Sequence, residues 1–283
     1  MNVSFGRELL TGILKAFLTT VTVVASIFLS LSLLIGMADT TDYVSDGSCN
    51  IAVLPIDGTI LPFAGIGGFD LITTPEFVSQ FIDSAEDDDN IKGILLEINS
   101  PGGTPVASER IAQRIADSNL PVVGLIGDIG ASGGYMVAAA SDFLIASAMS
   151  DVGGIGVNMS YVEESAKNEE EGLTYVQLIT GKFKDIGSPN RPITDEEREL
   201  LQADLDIIHN EFIDIVADYR EIPREEVVEL ANGASMPGRR ALDVNLIDAI
   251  GGRNQAQAAL AGFTDISLPN IKFCEYERSF LPF

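Results

Sequence analysis

Ser132 lies in GDIGASGGYMVAAAS, residues 127 to 141, among glycines and alanines at what reads as a turn opening a helix. Such surroundings leave a hydroxyl little hindered, but a serine attacks a carbonyl only when a base takes its proton. The usual base is histidine, and the chain has one, His209. It falls inside a long amphipathic helix between Ile207, Ile208, Phe212 and Ile213, with no candidate nucleophile within helical reach. It reads as a structural histidine, so a Ser-His-Asp triad is set aside.

A lysine can serve instead if burial or a neighbouring positive charge leaves its amine neutral near pH 7. Lys15 borders an apolar run, Lys92 opens a strand after an acidic turn, Lys167 sits in VEESAKNEEE and Lys272 is close to the C-terminus. That leaves Lys182 and Lys184 in GKFKDIGSP, residues 181 to 189, which point the same way in an extended segment, so spacing does not choose between them. An acyl-transfer site also needs backbone N–H groups aimed at the developing oxyanion. NSPGGTPV, residues 99 to 106, follows a buried strand and leads into a helix, and its two glycines permit such a turn. Without these partners Ser132 would read as a helix N-cap.

The elements that would carry these groups alternate between strand and helix. NIAVLPI, KGILLEI, PVVGLIG, FLIASA and YVQLIT read as strands. Residues 74 to about 88, Val106 to about Ser118, and Ser132 to Ala140 read as helices, the first with Thr74 as N-cap and Pro75 at the first helical position. This alternation predicts an α/β fold with a mainly parallel sheet and flanking helices, both loops lying at its carboxyl edge. Past Lys184, TDEEREL carries a capping box, Thr194 with Glu197, opening a helix to about Arg220. Shorter helices follow at about 224–231 and 254–261, giving a helical C-terminal part.

Composition narrows the rest. With 42 acidic against 17 basic residues the formal charge is −25, which opposes nucleic-acid binding because phosphate contacts need Lys and Arg. Cys49 and Cys274 lack zinc-site spacing; they form either a bridge joining the chain ends in an oxidising compartment or two buried thiols. From Ala16 to Ala38 no residue is charged, a length that spans a bilayer as a helix. Arg7 and Lys15 before it, and Asp39, Asp42 and Asp46 after it, predict a cytoplasmic N-terminus and an exported remainder. The expected divisions are residues 1–15 in the cytoplasm, a transmembrane anchor over 16–38, a linker over 39–49 and an exported domain over 50–283. Gly36-Met37-Ala38 would also pass as a signal-peptide cleavage site, but the apolar run is longer than such a signal requires.

INSPGG, then ASGGYMVA, then GKFKDIGSP, in that order, together with the closing GRRALDVNLIDAIGG, resemble the signal peptide peptidase A family of membrane-anchored Ser–Lys peptidases. The resemblance runs from about Ile51 to Ala261. It implies a Clp protease/crotonase-type fold and cleavage of hydrophobic peptides such as remnant signal peptides, or of a membrane-protein partner. It further implies Ser132 as nucleophile, Lys184 as general base, oxyanion-hole amides in the loops of Gly102, Gly103 and Gly133, and Lys182 as a bystander. It requires no metal or other cofactor, and it implies a homo-oligomeric ring in which neighbouring subunits share each dyad. Where the family often has a serine that orients the lysine, VGGIGV has Gly154, with Ser150 as one possible substitute. Two other readings are a crotonase-type enzyme acting on acyl-CoA, which an exporting anchor opposes, and an inactive membrane-bound assembly scaffold, which Gly154 favours. Tyr135 and Met136 would line a substrate groove or pack in the core.

Overall fold

The computed structural model describes residues 3–38, 47–63 and 71–275. The chain divides into two units, one carrying the N-terminal helix and the other all elements after it. Helix α1 runs unbroken over Val3–Ala38. Among the described residues no helix is long and apolar enough to cross a membrane. The span predicted over 16–38 runs on into residues 31–38, whose side chains lie outside the described part. So do residues 39–46, most of the predicted linker.

In the second unit the chain runs β1 (Ile51–Ile60), β2 (Ile72–Thr73), α2 (Pro75–Glu86), β3 (Gly93–Gly103), α3 (Pro105–Ala116), β4 (Val122–Ala131), α4 (Gly133–Ala139), β5 (Phe143–Ala146) and β6 (Asp151–Gly153). There follow α5 (Ser165–Glu170), α6 (Asp195–Arg220), α7 (Arg224–Leu230), β7 (Ser235–Pro237), α8 (Gly238–Asp243), β8 (Ala249–Ile250), α9 (Arg253–Thr264) and β9 (Phe273–Cys274). The strands form one sheet in the order β2-β1-β3-β4-β5-β8, with β9 beside β1. Every pairing is parallel except that of β6 with β7. This is the mainly parallel α/β sheet that the alternation predicts.

Parallel strands covered on both faces read as near-continuous apolar runs, and β1 and β3 do. On one face Ile51, Val53, Leu95, Val123 and Ile145 pack against Ala256 and Leu260 of α9. Ile51 and Leu260 are wholly buried, each such side chain contributing roughly 1.5–3 kcal/mol. Cys49 and Cys274 form a disulfide with Cα atoms 5.3 Å apart across a separation of 225 residues. Of the two readings open from sequence the structure has the bridge. Closing so long a loop contributes roughly 2–4 kcal/mol.

Strand β4 serves two neighbours in succession. Val123–Ile126 pairs with β5, then Ile129–Ala131 pairs with β6. The chain therefore comes back to the carboxyl end of β4, where it builds a wall beside Ser132.

Two expectations are corrected. Residues 99–103, read as a loop, continue β3 through a shift in register between Ile98 and Ser100. Ser100 Oγ bridges the irregularity, donating to Gly58 O at 2.6 Å and accepting from Gly102 N–H at 3.1 Å. Gly103 lies so close to β1 that a Cβ on it would meet Ile60 O at 1.9 Å. YVQLIT forms no strand: residues 173–179 are irregular, with Val176 74% and Leu178 92% exposed. The run has strand-forming side chains, but among the described residues no strand lies beside it to accept its backbone bonds.

The predicted capping box is present: Thr194 Oγ1 accepts from Glu197 N–H at 3.2 Å and Glu197 Oε2 accepts from Thr194 N–H at 2.9 Å. Arg191 joins it with N–H bonds of 2.9 and 2.6 Å to the Glu197 carboxylate, and donates to Asp185 Oδ2 at 3.3 Å and to Asp185 O at 3.0 Å. Tyr175 Oη and Gln177 Nε2 also donate to Asp185 Oδ2, at 2.8 and 2.9 Å. This cluster pins the turn that carries Lys184 to the start of α6. Arg191, with the Thr194 amide, holds the Glu197 carboxyl down at about 2 from its ordinary 4.5. A depressed carboxyl stabilises the fold fully above its unfolded value, and the contribution is lost as pH falls through its folded value. The expected result is that thermal stability falls between about pH 4.5 and 2 more steeply in the unaltered chain than in Glu197→Gln. Melting curves across that range check it.

Candidate active site

Ser132 is the single residue between β4 and α4. Its backbone has φ 52° and ψ −127°, a conformation that costs a non-glycine residue about 1–3 kcal/mol and is found chiefly at functional sites. Neighbours hold it there: its N–H donates to Gly153 O at 2.7 Å, and its carbonyl accepts from Tyr135 N–H and Met136 N–H at 2.9 and 3.0 Å. Its side chain makes no capping bond to α4. Ser132 thus holds the N-cap position of α4 without its hydroxyl capping it, and the residue lines the cavities described below.

The predicted glycines gather around it. Gly102 has φ +100°, and a Cβ there would stand 2.6 Å from Gly133 N and 2.9 Å from Ser132 Cβ. A Cβ on Gly133 would meet Ser108 Oγ at 2.2 Å and Gly103 N at 3.2 Å. A side chain at either position would clash with this packing. Gly133 N–H is the first of its helix and so has no intrahelical acceptor. The Gly102 N–H is already given to Ser100 Oγ. Gly103 and Gly133 line a cavity of about 130 Å³ with Ser132, Met136 and Phe212.

A second cavity, of about 460 Å³, shares Ser132, Gly156, Val157 and Asn158 with the first, and carries Gly154, Asn232 and Ser235 on its walls. Its remaining wall is the face of α6 bearing Gln202, Leu205, Asp206 and His209, residues spaced to share one side of a helix. A third hollow, about 570 Å³, adjoins the first through Pro105, Met136, Ile208 and Phe212 and continues over Val106, Ile207 and Ile215. Its walls are mostly apolar. Met136 thus lines the groove. Tyr135 does not: it is wholly buried, its hydroxyl donates to Leu246 O at 2.8 Å, and burial pushes its ionisation up.

Lys184 does not share a cavity with Ser132. It is exposed on the turn 181–187 and lines none of the three cavities. Lys182 is paired with Glu196 and lies 5.3 Å from the Phe183 ring centre. Gly154 has φ +65°, where glycine is unstrained, and a Cβ there would stand 3.3 Å from Ser132 N. Ser150 does not replace the missing hydroxyl, since its Oγ is bonded to Gly127 O and accepts from Ser147 N–H at 3.0 Å. Ser235 is better placed, its Cβ 3.9 Å from that same point beside Gly154. Beside Ser132 in this cavity stand His209, which the sequence reading set aside as structural, and Ser235, which it did not single out. No local pattern marks either, because each reaches Ser132 only through tertiary packing. Among the described residues His, Cys, Asp and Glu form no cluster fit to hold a metal ion.

Residues 114–267 match the model of peptidase family S49. A putative protease of Methanocaldococcus jannaschii is 36% identical over 194 residues, 68% of this chain and 62% of that protein. A putative signal peptide peptidase SppA of Enterococcus faecium is 31% identical over 221 residues, 75% of this chain and 63% of its own length. The chloroplastic serine protease SPPA of Arabidopsis thaliana is 29% identical over 76% of this chain and 32% of its own. The chain thus spans less than two thirds of the length of these relatives.

Proposed function

Because the chain belongs to peptidase family S49, we propose that it is a serine endopeptidase, tethered to a membrane, that hydrolyses hydrophobic peptides with Ser132 and Lys184. The observation that carries this reading is the strained backbone of Ser132, which presents an uncapped hydroxyl beside Gly103 and Gly133. Ser132 Oγ attacks the scissile carbonyl carbon while the neutral Lys184 amine takes its proton. The oxyanion is held by N–H groups at Gly103 and Gly133. The C–N bond then breaks, the lysine returns its proton to the leaving amine, and water repeats the sequence on the acyl-enzyme.

Within one chain Lys184 is exposed and lines neither cavity at Ser132, which supports a site completed by a second copy. The exposed apolar side chains of the same segment, Val162, Val176 and Leu178 among them, support an interface between copies of this chain. Insertion into a neighbour's cavity would desolvate the amine, as a lysine base requires. The Ser235 hydroxyl would orient it in place of the one that Gly154 lacks. Membrane tethering is supported by the uncharged stretch Ala16–Ala38 within α1, and export by the disulfide.

The apolar groove beyond Met136 supports hydrophobic substrates, such as remnant signal peptides or segments of membrane proteins. The full chain in detergent is expected to cleave a fluorogenic peptide with leucine or alanine before the scissile bond. It should do so roughly 10- to 200-fold more efficiently than the same peptide with aspartate there. Equal cleavage of the two would refute the assigned groove; cleavage of neither would favour the scaffold reading.

A further inference from the structure

The one histidine of the chain is unused by the mechanism above, yet it stands in the nucleophile's own cavity. His209 and Ser132 line the same hollow of about 460 Å³. His209 Nε2 is buried and has no hydrogen-bond partner among the described residues. Whichever ring nitrogen carries the proton, Nε2 can donate or accept one bond, and a buried polar atom left without one costs about 1–3 kcal/mol. Thr104 Oγ1, Ser141 Oγ and Arg220 Nε are in the same state, but of the four residues His209 alone lines the hollow with Ser132. The neighbouring groups on α6 do not meet the need: Asp206 Oδ1 accepts from Gln202 Nε2 at 2.7 Å, and Asn210 Nδ2 donates to Asp206 O at 2.7 Å. The hollow is also lined by Asn158, Asn232 and Ser235, unlike the mostly apolar groove over Val106, Ile207 and Ile215.

We propose that His209 is a substrate-binding residue, its Nε2 hydrogen-bonding the main chain of the peptide that lies against Ser132. Beside the incoming lysine at Ser235 and Gly154, the hollow then has a stated occupant: a peptide backbone, whose N–H and C=O groups suit the amides of Asn158 and Asn232. The apolar groove would receive the side chains on the opposite side of the cut bond. This rests on Ser132 as the nucleophile, and the role is one of binding, since the proton of Ser132 goes elsewhere.

The test uses the full chain with His209→Phe, which keeps a ring, and His209→Gln, which keeps a hydrogen-bonding group. For a fluorogenic hydrophobic peptide, His209→Phe should raise KM roughly 3- to 10-fold, with kcat little changed and His209→Gln closer to the unaltered chain. Labelling of Ser132 by a small fluorophosphonate should keep its rate in both variants. Unchanged KM in His209→Phe would overturn the proposal. So would a fall in kcat together with slower labelling, which would place His209 in the chemistry instead. If the unaltered chain neither cleaves nor labels, the reading of Ser132 has failed, and His209 is judged by binding alone. The labelled peptide should then bind Ser132→Ala more tightly than the Ser132→Ala, His209→Phe double variant, and equal affinity would overturn the proposal.

Discussion

Ser132→Ala is expected to lower kcat for peptide hydrolysis by roughly 10⁴-fold or more, with KM nearly unchanged. The hydroxyl oxygen is the atom that forms the acyl bond, so its removal leaves only the oxyanion donors and the binding groove to act on water. The fold should not suffer. The Ser132 side chain makes no capping bond, and the bonds that fix the turn are made by its backbone. Melting temperature and oligomeric state measured beside the kinetics separate this outcome from a folding defect. A variant that kept a tenth of the activity would remove Ser132 from the chemistry.

Lys184→Ala is expected to have an effect of similar size, because residues acting as one unit are not additive in their losses. Lys182→Ala should keep most activity: its amine is on the surface, paired with Glu196. Since Lys184 does not line its own chain's cavity at Ser132, the account makes a sharper claim about assembly. Ser132→Ala and Lys184→Ala chains, each inactive, are dissociated, mixed in equal amounts and reassembled. In a cyclic assembly with random order, about a quarter of the sites would then combine an intact serine with an intact lysine. Recovery of about that fraction of activity is the expected result. No recovery, with mixed assembly shown by crosslinking, would mean that each chain supplies both groups to its own site.

Much of this molecule is legible in its sequence, and the parts that are not share a cause. The buried strands β1, β3 and β4 are marked by apolar runs, and the start of α6 by the spacing of Thr194 and Glu197, because both signals depend on neighbours close in sequence. Gly102 and Gly103 are legible as residues but not as strand, since the bulge that keeps them in register needs Gly58 O on β1 to bind Ser100. YVQLIT has the side chains of a strand, but among the described residues no strand lies beside it. His209 was set aside because its flanking isoleucines made it look structural. It comes to share a cavity with Ser132 because α6 forms one wall of that cavity. Ser235 reaches the same cavity because β7 pairs antiparallel to β6, opposite Gly153, a contact between segments far apart in the chain.

The central claim is that the Ser132 hydroxyl is the attacking group. It is tested most directly by treating the full chain with a fluorophosphonate and mapping the adduct by peptide mass spectrometry. The account predicts one adduct, on Ser132, formed in step with loss of peptidase activity and absent from Lys184→Ala. An adduct on another serine, or full loss of activity with Ser132 unmodified, would contradict it.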